Sequence, residues 1–172
     1  MIRALAFGDN RSRFRSGQPD LNRFFQRYAG QNQFRHHVGV TYVAEEAGAI
    51  LGFVTVAAGH IDGDALPGAS DLPRYPLPVL RLARLAVADT AQGTGVGAAL
   101  VRFVFSLAYD TAGTVGCVGI VVDAKQDAMP FYARLGFVPL SATAGELEDR
   151  PKAMPMFIAL GAVARPTAPD RS

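Results

Sequence analysis

Val79-Leu80-Arg81-Leu82-Ala83-Arg84-Leu85-Ala86-Val87, then, after four residues, Gln92-Gly93-Thr94-Gly95-Val96-Gly97, runs directly into the apolar stretch Ala98–Tyr109. The first segment is aliphatic except at Arg81 and Arg84, which predicts a buried strand, and the last predicts a long helix. Without Cβ atoms, the amides of Gly93–Gly97 can turn toward one concavity. The helix behind them adds its unsatisfied N–H groups and the positive end of its dipole. A cradle for a diphosphate follows. A Walker loop is excluded, because Gly97 is followed by Ala98 and Ala99 rather than Lys and Ser/Thr. A dinucleotide fingerprint lacks its next glycine and normally opens the fold. A glycine-rich turn holding no ligand is the plain alternative.

Leu21–Ala29 places apolar residues at helical spacing, with Asp20 positioned to cap it. Val38–Ala44 and Ile50–Gly59 are rich in Val, Thr, Tyr and Phe, and predict a hairpin turning through residues 45–49. Residues 61–78 carry Pro67, Pro73, Pro76 and Pro78, so a long loop is expected, and loops of that length are usually functional. Cys117–Val122 predicts a buried strand, Met129–Leu135 a short helix, and Phe137–Leu140 and Met154–Leu160 the last strands. This order gives an α/β mixed sheet with helices on its faces. One domain is expected over residues 1–164, with a flexible tail at 165–172.

With 172 residues, 49% of them hydrophobic, the chain can bury a sizeable core without staples. A single cysteine, Cys117, excludes an internal disulfide framework and a thiolate-rich zinc site. His36, His37 and His60 have no metal-ligand spacing, so no metal is expected. No apolar run reaches membrane-spanning length and no signal-peptide core is visible, which together predict a cytoplasmic protein with no membrane contact. The net charge of +2 conceals segregation: residues 1–37 carry seven arginines against Asp9 and Asp20, whereas residues 38–73 carry five acidic side chains and no Lys or Arg. Such a pattern marks either an anionic partner for the N-terminal segment or two solvated faces that compensate one another.

Three stretches, Arg84-Leu85-Ala86-Val87, Gln92-Gly93-Thr94-Gly95-Val96-Gly97 and Phe131-Tyr132-Ala133-Arg134-Leu135-Gly136-Phe137, resemble the GCN5-related N-acetyltransferases, the GNAT family. Gln92, Gly95 and Gly97 meet the family's Gln/Arg-x-x-Gly-x-Gly/Ala pattern, and the Phe-Tyr…Gly-Phe signature follows in the right order. The wider pattern Phe14-x-x-Gly17-x-x-x-Leu21-x-x-Phe24-Phe25, with Leu72-Pro73-Arg74-Tyr75-Pro76-Leu77-Pro78, is similar to the acetyltransferase toxins of toxin–antitoxin pairs. Thr94 stands where those toxins often carry a basic residue.

The resemblance implies a central, mostly antiparallel mixed sheet with splayed parallel strands flanked by helices. It implies acetyl-CoA as acetyl donor, its pantetheine paired with backbone groups of Leu85, Ala86 and Val87 beside the strand ending at Asp123. Gln92, Gly93, Thr94, Gly95, Val96, Gly97 and Ala98 would hold the diphosphate, and Phe131 and Tyr132 would line the cofactor site. The Val87 amide is the candidate oxyanion donor, and Tyr132 matches the family tyrosine that protonates the departing thiolate. The ordinary alternative for Tyr132 is a core aromatic paired with Phe131 and Phe137.

The toxin resemblance further implies aminoacyl-tRNA as acceptor, a ribbon-helix-helix antitoxin as partner, and a homodimer. Arg11, Arg13, Arg15, Arg23 and Arg27 are the candidate phosphate contacts, with Arg23 and Arg27 one helical turn apart. No carboxylate stands out as general base: Glu45 and Glu46 fall in the predicted turn, and Asp127 reads as a helix cap. An α-amine, with a reference pKa of about 7.7–8.0, needs such a base less than a lysine amine at about 10.4, which favours an α-amino acceptor. A small-molecule or protein amine acetyltransferase and a non-catalytic acyl-CoA-binding protein are the competing readings.

Overall fold

A computed structural model describes residues 1–66, 72–140 and 153–162. They fall into two units, Met1–Ala58 with Arg81–Val104, and Gly59–Leu80 with Phe105 onward.

In the first unit, β1 (Ile2–Ala4), β2 (Val40–Glu46) and β3 (Ala49–Ile61, to Ala58 in this unit) pair antiparallel, with Arg3 opposite Val43 and Val43 opposite Phe53. The hairpin is tighter than the sequence suggests. Ala47 and Gly48 alone make the turn, with φ of 48° and 79°, and this doubly left-handed geometry matches the twist of the strands it joins. Glu45 and Glu46 therefore belong to β2, not to the turn, and Glu45 accepts a 2.7 Å hydrogen bond from Arg3 Nε.

The predicted N-terminal helix is longer and less regular than expected. It runs as α1 (Pro19–Arg23), a π-helical stretch (Phe24–Tyr28), α2 (Ala29–Gln31) and a second π-helical stretch (Asn32–His36). Asp20 is not its cap: Gln18 holds that position, and Asp20 lies in the first turn, ion-paired to Arg23 at 2.7 Å. The helix buries Phe24 and Phe25 against β3, where Phe25 stacks on Phe53 at 4.4 Å and Phe14 meets both rings edge-on. Aromatic pairs contribute beyond their area, which makes this cluster the anchor of the helix.

In the second unit, β5 (Gly119–Ala124) and β7 (Met154–Ala159) pair antiparallel with Val121 opposite Phe157, and β6 (Val138–Pro139) pairs with the other edge of β7. Cys117 precedes β5 rather than lying within it; its thiol is buried and donates to Gly119 O at 3.2 Å. Ile61, Leu77, Val79, Val121 and Phe157 form this unit's core. Strand β4 (Leu77–Val87) and helix α3 (Val96–Thr114) run from one unit into the other, and the seven strands are ordered β1-β2-β3-β4-β5-β7-β6. The expected tail, 165–172, lies outside the described residues.

Candidate functional site

The glycine-rich turn of the first unit is built by backbone bonds that anchor both of its flanks. As β4 ends, the Ala88 amide donates to Leu51 O and the Asp89 amide to Arg15 O, each at 2.8 Å. A single 3-10 turn, Asp89–Ala91, then leads to Gln92. The Gln92 side chain is engaged within the protein. Its Nε2 donates to Ser16 O at 3.1 Å and Val87 O at 3.2 Å, so it ties the turn to the end of β4. Thr94 Oγ1 donates back to Ala91 O.

Gly93 and Gly95 adopt φ of 75° and 90°, conformations that side chains rarely tolerate, and a Cβ at either would meet open space. Their requirement for glycine is thus conformational, not steric. Gly97 differs from both, being the second residue of α3. Ala99 is the first amide of the helix to find a partner behind it, Gly95 O at 3.0 Å. The amides of Val96, Gly97 and Ala98 precede any intrahelical acceptor and sit at the positive end of a 19-residue dipole. Gln92–Gly95 are exposed, so the cradle is open to a ligand.

Gly52, which sequence reasoning passed over, makes this arrangement possible. A Cβ there would lie 2.9 Å from Ala86 O and 3.1 Å from both Val96 Cγ1 and Leu100 Cδ1. The start of α3 and the end of β4 close over β3 only because that position is bare. Ala86 is buried, whereas Leu85 and Val87 are half-buried.

Asp123, Phe131 and Tyr132 belong to the second unit. Asp123 is exposed on β5. Helix α4 (Met129–Arg134) begins after Ala128 with Pro130 in its first turn; Asp127 is exposed and does not cap it. The helix ends in a Schellman turn: Gly136, at φ 98°, donates to Ala133 O, and Phe137 donates to Tyr132 O at 3.1 Å. This folds the Phe137 ring onto Tyr132, 5.4 Å between centroids, with Phe131 on another side at 5.1 Å. The Phe-Tyr…Gly-Phe signature is therefore a capped helix end that fixes one tyrosine. Tyr132 is only 5% exposed, and burial pushes its phenol pKa well above the ordinary value. No hydrogen bond to its hydroxyl is found among the described residues. Tyr132 is thus packed as a core aromatic between Phe131 and Phe137.

The five arginines do not form one uniform surface. Arg13 and Arg27 are exposed and, among the described residues, have no side-chain partner. Arg15 is exposed but tethered, Nη1 donating to Ser12 O and Phe14 O. Arg23 is engaged with Asp20. Arg11 is withdrawn: its guanidinium packs against Gly30, and Nη1 is buried without a partner among the described residues. Nor are Arg23 and Arg27 one ordinary helical turn apart, since the backbone passes into π geometry between them. Among the described residues, no three His, Cys, Asp or Glu side chains are grouped to hold a metal ion, and no helix is long and apolar enough to cross a membrane.

Residues 37–139 match the family model for the acetyltransferase (GNAT) domain. The chain belongs to the GNAT acetyltransferase family. It is accordingly an N-acetyltransferase, and the expected mixed sheet with flanking helices is the fold of this family. Among its relatives is a tRNA-acetylating toxin of Mycobacterium tuberculosis (strain ATCC 25618 / H37Rv), 31% identical over 140 residues that cover 78% of this chain and 82% of the relative. AtaT complexed with acetyl-methionyl-tRNAfMet superposes with a TM-score of 0.81 at 25% identity, covering 94% of this chain and 95% of the other. AtaTR bound with AcCoA gives 0.76 at 26% identity, with 94% of each chain covered.

Proposed function

We propose that this GNAT N-acetyltransferase takes acetyl-CoA as donor and the α-amine of an aminoacyl-tRNA as acceptor, and so acts as a translation-blocking toxin. The observation that carries the reading is the 31% identity, over most of both chains, to a protein named for acetylating tRNA. A solved neighbour holding acetyl-methionyl-tRNA supports it at lower identity. A ribbon-helix-helix antitoxin, a homodimeric state and a cytoplasmic address, where charged tRNA is used, belong to the same reading. Residues 1–164 are taken as one acetyltransferase domain, because the family match runs through both units.

In this reading the amides of Gly93–Ala98 hold the diphosphate, with Gln92 fixing the turn that presents them. Leu85, Ala86 and Val87 offer backbone groups to the pantetheine arm, and the Val87 amide stabilises the oxyanion formed as the amine attacks the thioester carbon. When the C–S bond breaks, Tyr132 gives its hydroxyl proton to the departing thiolate and is reprotonated from solvent, where the ammonium proton also goes. Burial keeps Tyr132 protonated throughout the physiological range. The same burial weakens its acidity, a cost offset where the thiolate is itself desolvated and more basic than in water. An α-amine, partly neutral near pH 7, suits a site in which no side chain is assigned as general base.

The test is transfer of radiolabelled acetyl from acetyl-CoA to purified charged tRNA, with uncharged tRNA and free amino acids in parallel. Label retained only on charged RNA is expected. Efficient labelling of free amines with none on RNA would replace this reading by that of a small-molecule acetyltransferase.

A further inference from the structure

Beside the glycine-rich turn, the first unit contains a cavity of about 560 Å³ that the cofactor assignment does not use. Its walls come from the segment before α1, from the start of β3, and from the residues linking β4 to the turn; none comes from Gln92–Ala98. Phe14 is a buried part of the lining, and Ile50 is partly buried. Guanidinium, amide and carboxylate groups share that lining with the hydroxyl of Thr90.

Arg13 and Arg15 supply positive charge. Arg13 is exposed and without a side-chain partner among the described residues, while carbonyl bonds from Nη1 hold Arg15 in place and leave the rest of its guanidinium to donate. Asn10 Oδ1 accepts from both the amide and the hydroxyl of Ser12, which turns the amide nitrogen of Asn10 into a fixed donor. Asp89 contributes a carboxylate, held by its backbone bond to Arg15 O and by Gln92 Nε2 at 3.4 Å from Oδ1.

A bare phosphate would meet Asp89 as well as the arginines and gain little. A ribonucleotide uses all of them: phosphate oxygens accept from the arginines, the ribose 2′-hydroxyl donates to the carboxylate, and a base covers the apolar lining. A cavity of this volume is within the range that holds small ligands. We propose that it binds one nucleotide of the RNA acceptor, a docking point separate from the acetyl-transfer chemistry. The inference rests on the RNA reading above and assigns that RNA a specific contact.

Binding of deacylated tRNA, followed by fluorescence anisotropy across a salt series, tests it apart from catalysis. Arg13→Glu should raise Kd about tenfold or more and lower the salt slope by about 1. Ala49→Phe, at an exposed position lining the cavity, adds volume without changing charge. It should raise Kd severalfold at an unchanged slope. Wild-type affinity in Ala49→Phe overturns the proposal, even if Arg13→Glu weakens binding, because only a diffuse surface charge would then be involved. A rise in KM for acetyl-CoA that vanishes with acetyl-dephospho-CoA also overturns it, by giving the cavity to the cofactor's phosphate. Intact tRNA binding with no acetyl transfer would instead refute the functional reading and leave the cavity assignment standing.

Discussion

Replacing Tyr132 with Phe removes one hydroxyl and leaves the packing in place. The edge-on contacts with Phe131 and Phe137 involve only the ring, and no partner among the described residues is stranded by the loss. The fold should therefore change by less than about 1 kcal/mol. Chemistry should suffer far more. A thiol with a reference pKa near 8.5 leaves as a thiolate whose protonation at pH 7 is favoured by about 2 kcal/mol, and a positioned acid typically contributes about 10²–10⁴-fold. The expected outcome is a kcat lower by about 10²–10⁴, with KM for acetyl-CoA little changed. Single-turnover thiol release, read beside a melting curve, checks both halves. Unaltered kcat in a folded variant refutes Tyr132 as the acid. The same variant carries a stability signature. Burial raises the phenol's pKa in the folded state, so its stabilisation is complete below about pH 10 and is lost as pH rises toward the folded value. Above pH 10, wild type should lose stability more steeply than Tyr132→Phe, by up to about 1.4 kcal/mol per pH unit.

Gly136→Ala forces a side chain into φ 98° and places a methyl 3.1 Å from Ile158 Cδ1, so a loss of about 1–3 kcal/mol, measured by urea unfolding, should accompany reduced kcat as the Tyr132 turn shifts. Arg3 holds the Asp9 carboxyl below its usual pKa through paired 2.8 and 2.9 Å bonds; that stabilisation is present above about pH 4 and lost as pH falls through the lower folded value. Asp9→Asn should cost about 1–2 kcal/mol at pH 7 and flatten the acid side of the melting profile.

Much of the fold was legible because the deciding elements are long and strongly patterned. Strand β4, the glycine turn and α3 each carry a period or a punctuation that few other structures satisfy. Strand β1 was not legible: three residues show no period, and their pairing depends on Arg3 meeting Asp9 and Glu45. The π-helical stretches have no composition of their own; the first falls where Phe24 and Phe25 pack against Phe53. Both supposed caps, Asp20 and Asp127, were misplaced for one reason. Pro19 and Pro130 lie in the first turns of their helices, and that preference of proline was the stronger signal.

The site was legible in its backbone and less so in its side chains. Gly93 and Gly95 take positive φ, the backbone that a turn built on bare glycines offers. The Gln92 side-chain amide is engaged by Val87 and by Ser16, the second a partner that sequence separation hides. Gly52 carried no motif; only the approach of Ala86, Val96 and Leu100 explains it. Arg11 could not be told from Arg13 by charge counting, because its withdrawal depends on the bare surface at Gly30.

Acetyl transfer to the α-amine of an aminoacyl-tRNA is checked by locating the acetyl group on the product. Charged tRNA incubated with the enzyme and acetyl-CoA is digested by nuclease, and the terminal aminoacyl-adenosine is analysed by tandem mass spectrometry. An acetyl group on the α-nitrogen of the esterified amino acid, absent when acetyl-CoA is omitted, is the predicted result. An unmodified aminoacyl-adenosine under conditions in which the enzyme turns over acetyl-CoA, or an acetyl group on the ribose or base instead, would contradict it.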